Sequence, residues 1–197
     1  RDAIAVPADL DIRHAPPFIY RDIHPGRANI PDQYRRKVRQ NSGGNQPQFG
    51  FSENYGSPRG CHSMHIYSAD FPKEISWMNK NGYRQVVSSY NAGSICFSQP
   101  EVLDRFAAKL KDYISKDRIR YDKIGAPWPV FYVVDQNDCY VECFCPECQE
   151  KVKQHGVSGL LIDFMNKLWD CISGDYPDIY LMTFAYQDST TPPSSGL

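Results

Sequence analysis

The sequence predicts an α/β protein with a parallel sheet and crossover helices, and three observations carry that expectation. Val130, Phe131, Tyr132, Val133 and Val134 form a run of β-branched and aromatic residues with almost no polarity, the composition of a strand buried on both faces. A second continuous apolar run, IYLMTFAYQ, follows Pro177. Between and before these runs lie two stretches with apolar residues at three- and four-residue spacing, so the order is strand, helix, strand, helix, strand. That is the βαβ repeat, whose sheet is parallel.

The elements follow in order. Arg1 to Ile12 has weak alternation and reads as an arriving linker; residues 1–15 are expected to connect to a domain upstream of the chain. Pro16 and Pro17 introduce Phe18, Ile19 and Tyr20, a short apolar strand that exits through Arg21 and Asp22. Pro31 can open a short helix in which Tyr34 and Val38 stand four apart. Asn41 to Ser57, rich in Gly, Asn, Gln, Ser and Pro, is long and polar enough for a functional loop. RGCHSMHIYSADF then interleaves Cys61, Met64, Ile66 and Tyr67 with His62, Ser63 and His65, as expected of a strand or strand exit. After a turn-rich stretch from Met78 to Ala92, Ile95, Cys96 and Phe97 form a brief buried piece.

Ser98 and Glu101, with Pro100 in the first turn, predict a capped helix whose face is Val102, Leu103, Phe106, Ala107, Leu110, Tyr113 and Ile114. Ser158 is placed to cap the next helix, carrying Leu160, Leu161, Phe164, Met165, Leu168 and Ile172, with Gly174 ending it. No helix remains to cover the last strand, so the domain is expected to be truncated.

Composition limits the function classes. A length of 197 residues with 41% hydrophobic content suffices for one sizeable core. Lys plus Arg number 22 against 23 Asp plus Glu, which gives no electrostatic basis for a nucleic-acid or anionic-membrane partner. No apolar window is long enough to span a bilayer. No signal peptide is present, but the chain begins at Arg1, consistent with an upstream segment having been removed. Seven cysteines are many for this length, and the odd count leaves at least one unpaired within the chain.

The chemistry concentrates where apolar runs end. The central strand exits through Asp135, Gln136, Asn137 and Asp138, and α/β proteins place their sites at such strand ends. Arg21, His62, Asn137, Asp138 and Tyr186 each follow or close an apolar run, and together they are expected to converge on one concave face. Arg21 and Asn137 would donate to oxygens of a ligand, His62 and Tyr186 would hydrogen-bond while offering a ring face, and Asp138 would carry a proton. For Asp138 the competing role is a loop or helix cap; for the histidines it is a hydrogen-bonded structural residue. Asp135, three residues away along an extended exit, is a poor second carboxylate.

Cys139, Cys143, Cys145 and Cys148 follow at once. They could satisfy a tetrahedral, purely structural zinc ion, or in an oxidising compartment form disulfides, with closure between Cys143 and Cys145 strained. Cys96 and Cys171 read as buried small apolar residues. A cysteine-based redox protein is disfavoured because no C-x-x-C is expected at a helix start.

PPFIYRDI, GCHSMHIY, ICFSQPEV, VVDQNDCYVECFCPEC and YPDIYLMTFAYQDSTTPP together resemble a family of large, mostly secreted bacterial proteins of uncharacterised function. That family is grouped with the TIM-barrel glycoside hydrolases and related in layout to α-glucuronidases and β-hexosaminidases. The resemblance implies a partial (β/α)8 TIM barrel over residues 16–197, about its first half, in a periplasmic or extracellular protein. Phe18 to Arg21, His62 to Tyr67, Val130 to Val134 and Tyr180 to Ala185 would be its neighbouring strands, and exposed barrel edges would favour self-association. It also implies that Asp138 lies at the end of the fourth strand, where related hexosaminidases carry the acid carboxyl; most of those use Glu, and this chain has Asp after Asn.

Glycoside cleavage needs a second carboxylate about 5 Å away for retention, or about 6.5 to 9.5 Å for inversion, and no cofactor. The functions carried forward are a glycoside hydrolase-like protein acting on a carbohydrate and, from another class, a non-catalytic glycan-binding barrel.

Overall fold

The computed structural model describes residues 5–13, 17, 18, 21, 31–40, 55–58 and 60–194. Its elements in chain order are α1 (Asp32–Lys37), α2 (Met64–Ser68), α3 (Pro100–Lys123), β1 (Phe131–Val133), α4 (Pro146–Ile172) and β2 (Tyr180–Met182), with short 3-10 turns at Lys73–Ile75 and Gln187–Ser189. None of the described helices is long and apolar enough to cross a membrane.

The two apolar runs pair as expected. β1 and β2 are parallel neighbours, with Phe131 opposite Tyr180, Tyr132 opposite Leu181 and Val133 opposite Met182. The ladder continues at both ends, since Tyr180 N–H donates to the Val130 carbonyl at 2.7 Å and Val134 N–H to that of Met182 at 2.9 Å. On the other edge of β1 lies Tyr55, which forms a parallel bridge with Phe131, and Gly56 N–H donates to the Phe131 carbonyl at 2.8 Å. The polar stretch read as a loop thus supplies β1 with its second parallel neighbour. The spatial order is Tyr55, β1, β2, with α3 and α4 as the successive connections.

Alternation along the strands separates two faces. Tyr132, Val134 and Leu181 join the core formed with α3 and α4. Phe131, Val133, Tyr180 and Met182 face the opposite way, and the Phe131 ring lies between those of Tyr55 and Tyr180. The core centres on Phe106 of α3, which stacks on Tyr67 at 4.7 Å and meets Phe164 of α4 edge-on at 5.3 Å. The apolar pattern of α3 lapses after Ile114 because the next inward position is Asp117. Its carboxylate accepts from the Ser57 N–H at 2.6 Å and the Ser57 hydroxyl at 2.9 Å, and so ties the Tyr55 segment to the helix.

Four expectations are corrected. The expected strand His62 to Tyr67 is largely helical, in α2: its buried residues, Met64, Tyr67 and Ser68, stand at the three- and four-residue spacing of a helix face, where a strand would bury alternate residues. His62 has φ 58°, a left-handed turn that no strand residue takes. α3 has Gln99 as its N-cap, without a side-chain cap, and Ser98 instead turns its hydroxyl to Cys148. α4 begins at Pro146, ahead of Ser158, and is interrupted at Gly156 (φ 79°, ψ 174°), so the predicted helix is the part after that break. Cys171 is exposed, whereas Cys96 is buried. The expected strand Phe18 to Arg21 falls largely outside the described residues.

Gly56 is where this packing is least tolerant. A Cβ there would stand 2.1 Å from the Tyr132 ring, so the bare backbone is what lets the Tyr55 segment close on β1 over that ring. Gly56→Ala is expected to destabilise the fold by about 1–3 kcal/mol in urea unfolding, and Tyr132→Leu in the same chain to recover part of that loss. Additive losses would show that the two residues do not meet.

Candidate functional site

Of the four polar residues that leave β1, only Asp138 reaches the surface; Asp135, Gln136 and Asn137 are buried. An unmet polar group in the interior is costly, so their hydrogen bonds go to neighbouring segments. Asn137 accepts from the His65 N–H at 2.9 Å and donates to the Gly93 carbonyl at 2.7 Å. Gln136 donates to the Cys139 carbonyl at 3.2 Å and accepts from the Ser189 hydroxyl at 2.5 Å. Asn137, expected to bind substrate, is therefore a strut: its amide is committed inward.

Asp138, His62 and Tyr186 do come together. The Tyr186 hydroxyl donates to Asp138 Oδ1 at 2.8 Å, and the His62 ring lies 5.7 Å from the Tyr186 ring and 5.6 Å from that of Phe184. His62 Nδ1 is 2.9 Å from the Gln136 carbonyl, which can only accept. Nδ1 therefore carries a proton, and in the neutral imidazole Nε2 is the acceptor. Tyr90 completes the cluster: its carbonyl accepts from the Asp138 N–H at 2.6 Å, and its half-exposed ring stacks beside His62 at 6.3 Å. Tyr90 and Phe184 were not singled out in the sequence, since each is one aromatic among many. Arg21 is engaged elsewhere, donating to the Arg39 and Phe18 carbonyls at 2.7 and 2.5 Å.

A groove of about 720 Å³ opens alongside, lined among others by Trp77, Asn79, Asn81, Gln85, Tyr140 and Glu142. Its walls are tied together. Trp77 Nε1 donates to the Glu142 carbonyl at 2.7 Å, and the Asp188 carboxylate accepts from the Val141 N–H at 3.0 Å and, more loosely, from that of Glu142.

The cysteines form a different set from the one expected. Cys96, Cys143, Cys145 and Cys148 are fully buried, with all four sulfurs within 4.8 Å of one another, an arrangement that could hold a metal ion. Cys139 is not among them; its thiol donates to the Gly93 carbonyl at 3.1 Å. Cys96, read as a small apolar residue, takes the fourth place from 49 residues before Cys145, a separation across which no local motif signals a ligand. Cys145 is the N-cap of α4, Pro146 opens the helix and Cys148 lies in its first turn, so a C-x-x-C does stand at a helix start. Zero exposure of both sulfurs keeps a redox partner away from them. Hydrogen bonds from Cys143, Cys145 and Cys148 push the Cys96 thiol well below its ordinary value, and hydrogen bonding to Cys145 pushes Cys143 well above it.

The site and fold define an α/β chain with a carboxylate, a tyrosine and a histidine gathered at parallel strand ends beside a buried four-cysteine centre. The chain belongs to the family described as Domain of unknown function (DUF4838), which it matches over residues 1–196. No curated protein and no solved structure matches it.

Asp135 supplies a pH-dependent test of this strand end. It is 2% exposed, its Oδ1 has no hydrogen-bond partner among the described residues, and burial pushes the carboxyl up to about 7. The unfolded chain releases this proton near pH 4, whereas the folded chain holds it to about 7. Its contribution to stability is therefore fully present at low pH and is lost as pH rises from about 4 to about 7. Asp135→Asn is expected to stabilise the protein by a few kcal/mol (roughly) above pH 7 and to change little at pH 4, as read by thermal unfolding across that range. An equal shift at both pH values would show that Asp135 does not hold its proton in the folded state.

Proposed function

We propose that this protein is a carbohydrate-active module of (β/α)8 barrel type, acting on a glycan in the manner of a glycoside hydrolase. The observation that carries the reading is the Tyr186 hydroxyl on Asp138 at 2.8 Å, with the His62 ring alongside, at the carboxyl ends of β1 and β2. Parallel order with the helices packed on one face is the arrangement of a barrel segment, and such barrels carry their sites at that end.

A sugar ring presents hydroxyls on its edge and C–H groups on its face. Half-exposed Tyr90 offers a stacking surface, Nε2 of His62 accepts from a hydroxyl, and Asp138 delivers or takes the proton at the glycosidic oxygen. Tyr186 holds the carboxyl in one orientation by its hydrogen bond. The neighbouring groove, with amide side chains beside Trp77 and Tyr140, has the composition to extend that contact to further sugar units.

A second reading, a glycan-binding module without turnover, draws on the commitment of the nearby carboxylates. Asp135 is buried, and Asp188 accepts from two backbone N–H groups, so neither stands free as the partner that hydrolysis needs. In this reading the cysteine centre braces the loop that carries Asp138 and takes no part in chemistry.

Hydrolysis of a panel of aryl glycosides and oligosaccharides separates the two. Asp138→Asn is expected to lower turnover at least about a hundredfold with an unchanged melting temperature. Oligosaccharide binding by calorimetry without any turnover would support the binding module. Loss of folding in the Asp138 variant, with activity retained per folded molecule, would make Asp138 a structural cap.

A further inference from the structure

The four-cysteine centre is built from two separate stretches of chain, Cys96 and the run Cys143–Cys148. Cys96 lies just before α3, Cys143 and Cys145 lie in the segment after β1, and Cys148 lies in the first turn of α4. Three thiols of one run and a fourth brought to them from 49 residues before Cys145 make weak hydrogen bonds with one another, and as apolar filler they would have no reason to point at a common centre.

The distances fit an ion. A tetrahedral zinc with sulfurs at about 2.3 Å sets them about 3.8 Å apart, and a closed site of four thiolates is the structural form of zinc coordination. The sulfurs of Cys96 and Cys145 are 3.5 Å apart, and the whole set lies within 4.8 Å.

The surroundings also suit thiolates. Met78 N–H points at Cys143 Sγ at 3.5 Å, and the Ser98 hydroxyl lies 3.0 Å from Cys148 Sγ. The Arg84 guanidinium, which donates to the Ser76 carbonyl at 2.7 Å, also interacts with Cys96, where its charge would offset that of a zinc tetrathiolate. Cys145 and Cys148 stand at the amino end of α4, whose dipole favours negative charge there.

We propose that Cys96, Cys143, Cys145 and Cys148 bind one structural zinc ion, their thiol protons passing to solvent as the ion enters. Zinc then joins the start of α3, the loop behind Asp138 and the start of α4 into one frame. This site does not depend on the glycan reading.

The test is elemental analysis of the full chain purified without chelator or metal-affinity resin, followed by metal exchange with cobalt. The expected results are about one zinc per chain and a cobalt spectrum with thiolate charge-transfer bands and the d–d absorption of a tetrahedral site. Cys96→Ser is expected to weaken zinc at least about a hundredfold in competition with a chromogenic chelator, whereas Cys139→Ser leaves it unchanged. If Cys96→Ser does not fold, zinc content and the cobalt spectrum of the unaltered chain decide the matter. Metal-free protein with four free thiols, two disulfides found by mass measurement, iron in place of zinc, or loss of zinc in Cys139→Ser with retention in Cys96→Ser would each overturn the assignment.

Discussion

The satisfaction of buried polar groups at the end of β1 organises most of what surrounds it. A strand that carries Asp135, Gln136 and Asn137 into the interior must find partners for them there, because each unpaired amide or carbonyl costs more than a hydrogen bond returns. The partners come from distant parts of the chain. Ser63 donates its hydroxyl to the Val133 carbonyl at 2.9 Å and accepts from the Asp135 N–H at 3.0 Å, and Met64 N–H reaches the Asp135 carbonyl at 3.1 Å. Gly93 receives Asn137, and Ser189 bonds Gln136. The α2 segment, the turn before Cys96 and the turn after β2 are thereby drawn to one strand end. Asp135 is the exception: its Oδ1 has no partner among the described residues, and burial raises its carboxyl to about 7.

Once those segments are in place, the geometry of the exposed groups follows. His62 takes a left-handed backbone so that its ring can bond Gln136 while Ser63 and Met64 cap the strand. That turn brings the imidazole against Phe184 and Tyr186, which extend from β2. Asp138 is the first residue of the exit whose side chain is not committed to the interior, and Tyr186 meets it. The exposed cluster is thus a consequence of how the strand end is satisfied.

The parts of the fold written in local pattern were legible, and those written in spatial partnership were not. β1, β2 and the inward faces of α3 and α4 carry enough apolar residues at the right period to be read directly. Residues 62–67 carry apolar residues at both periods over a short span, and the turn at His62 and the spacing of the buried residues decide for helix. The opening of α4 was hidden because its first turns bury little beyond Cys148. Asp138, His62 and Tyr186, each read from an apolar run that it follows or closes, lie together in the fold. Asn137, expected on the same face, is buried: one residue along an exit separates a side chain that faces solvent from one that faces the core, and composition does not distinguish them. Cys96 lies among apolar residues, so its sulfur reads as filler until the fold places it against Cys145.

The short chain between Asp138 and Cys143 joins the two centres mechanically. At one end the Tyr90 carbonyl and the Tyr186 hydroxyl hold Asp138; at the other, Cys143 packs under Met78 and the Phe144 N–H donates to the Met78 carbonyl at 2.9 Å. Between them, Asp188 gathers the N–H groups of Val141 and Glu142. The same residues form a wall of the groove, with Trp77 bonded to Glu142 and Tyr140 exposed above it. The closed, buried centre therefore anchors the far end of the segment that displays the Asp138 carboxyl beside this groove.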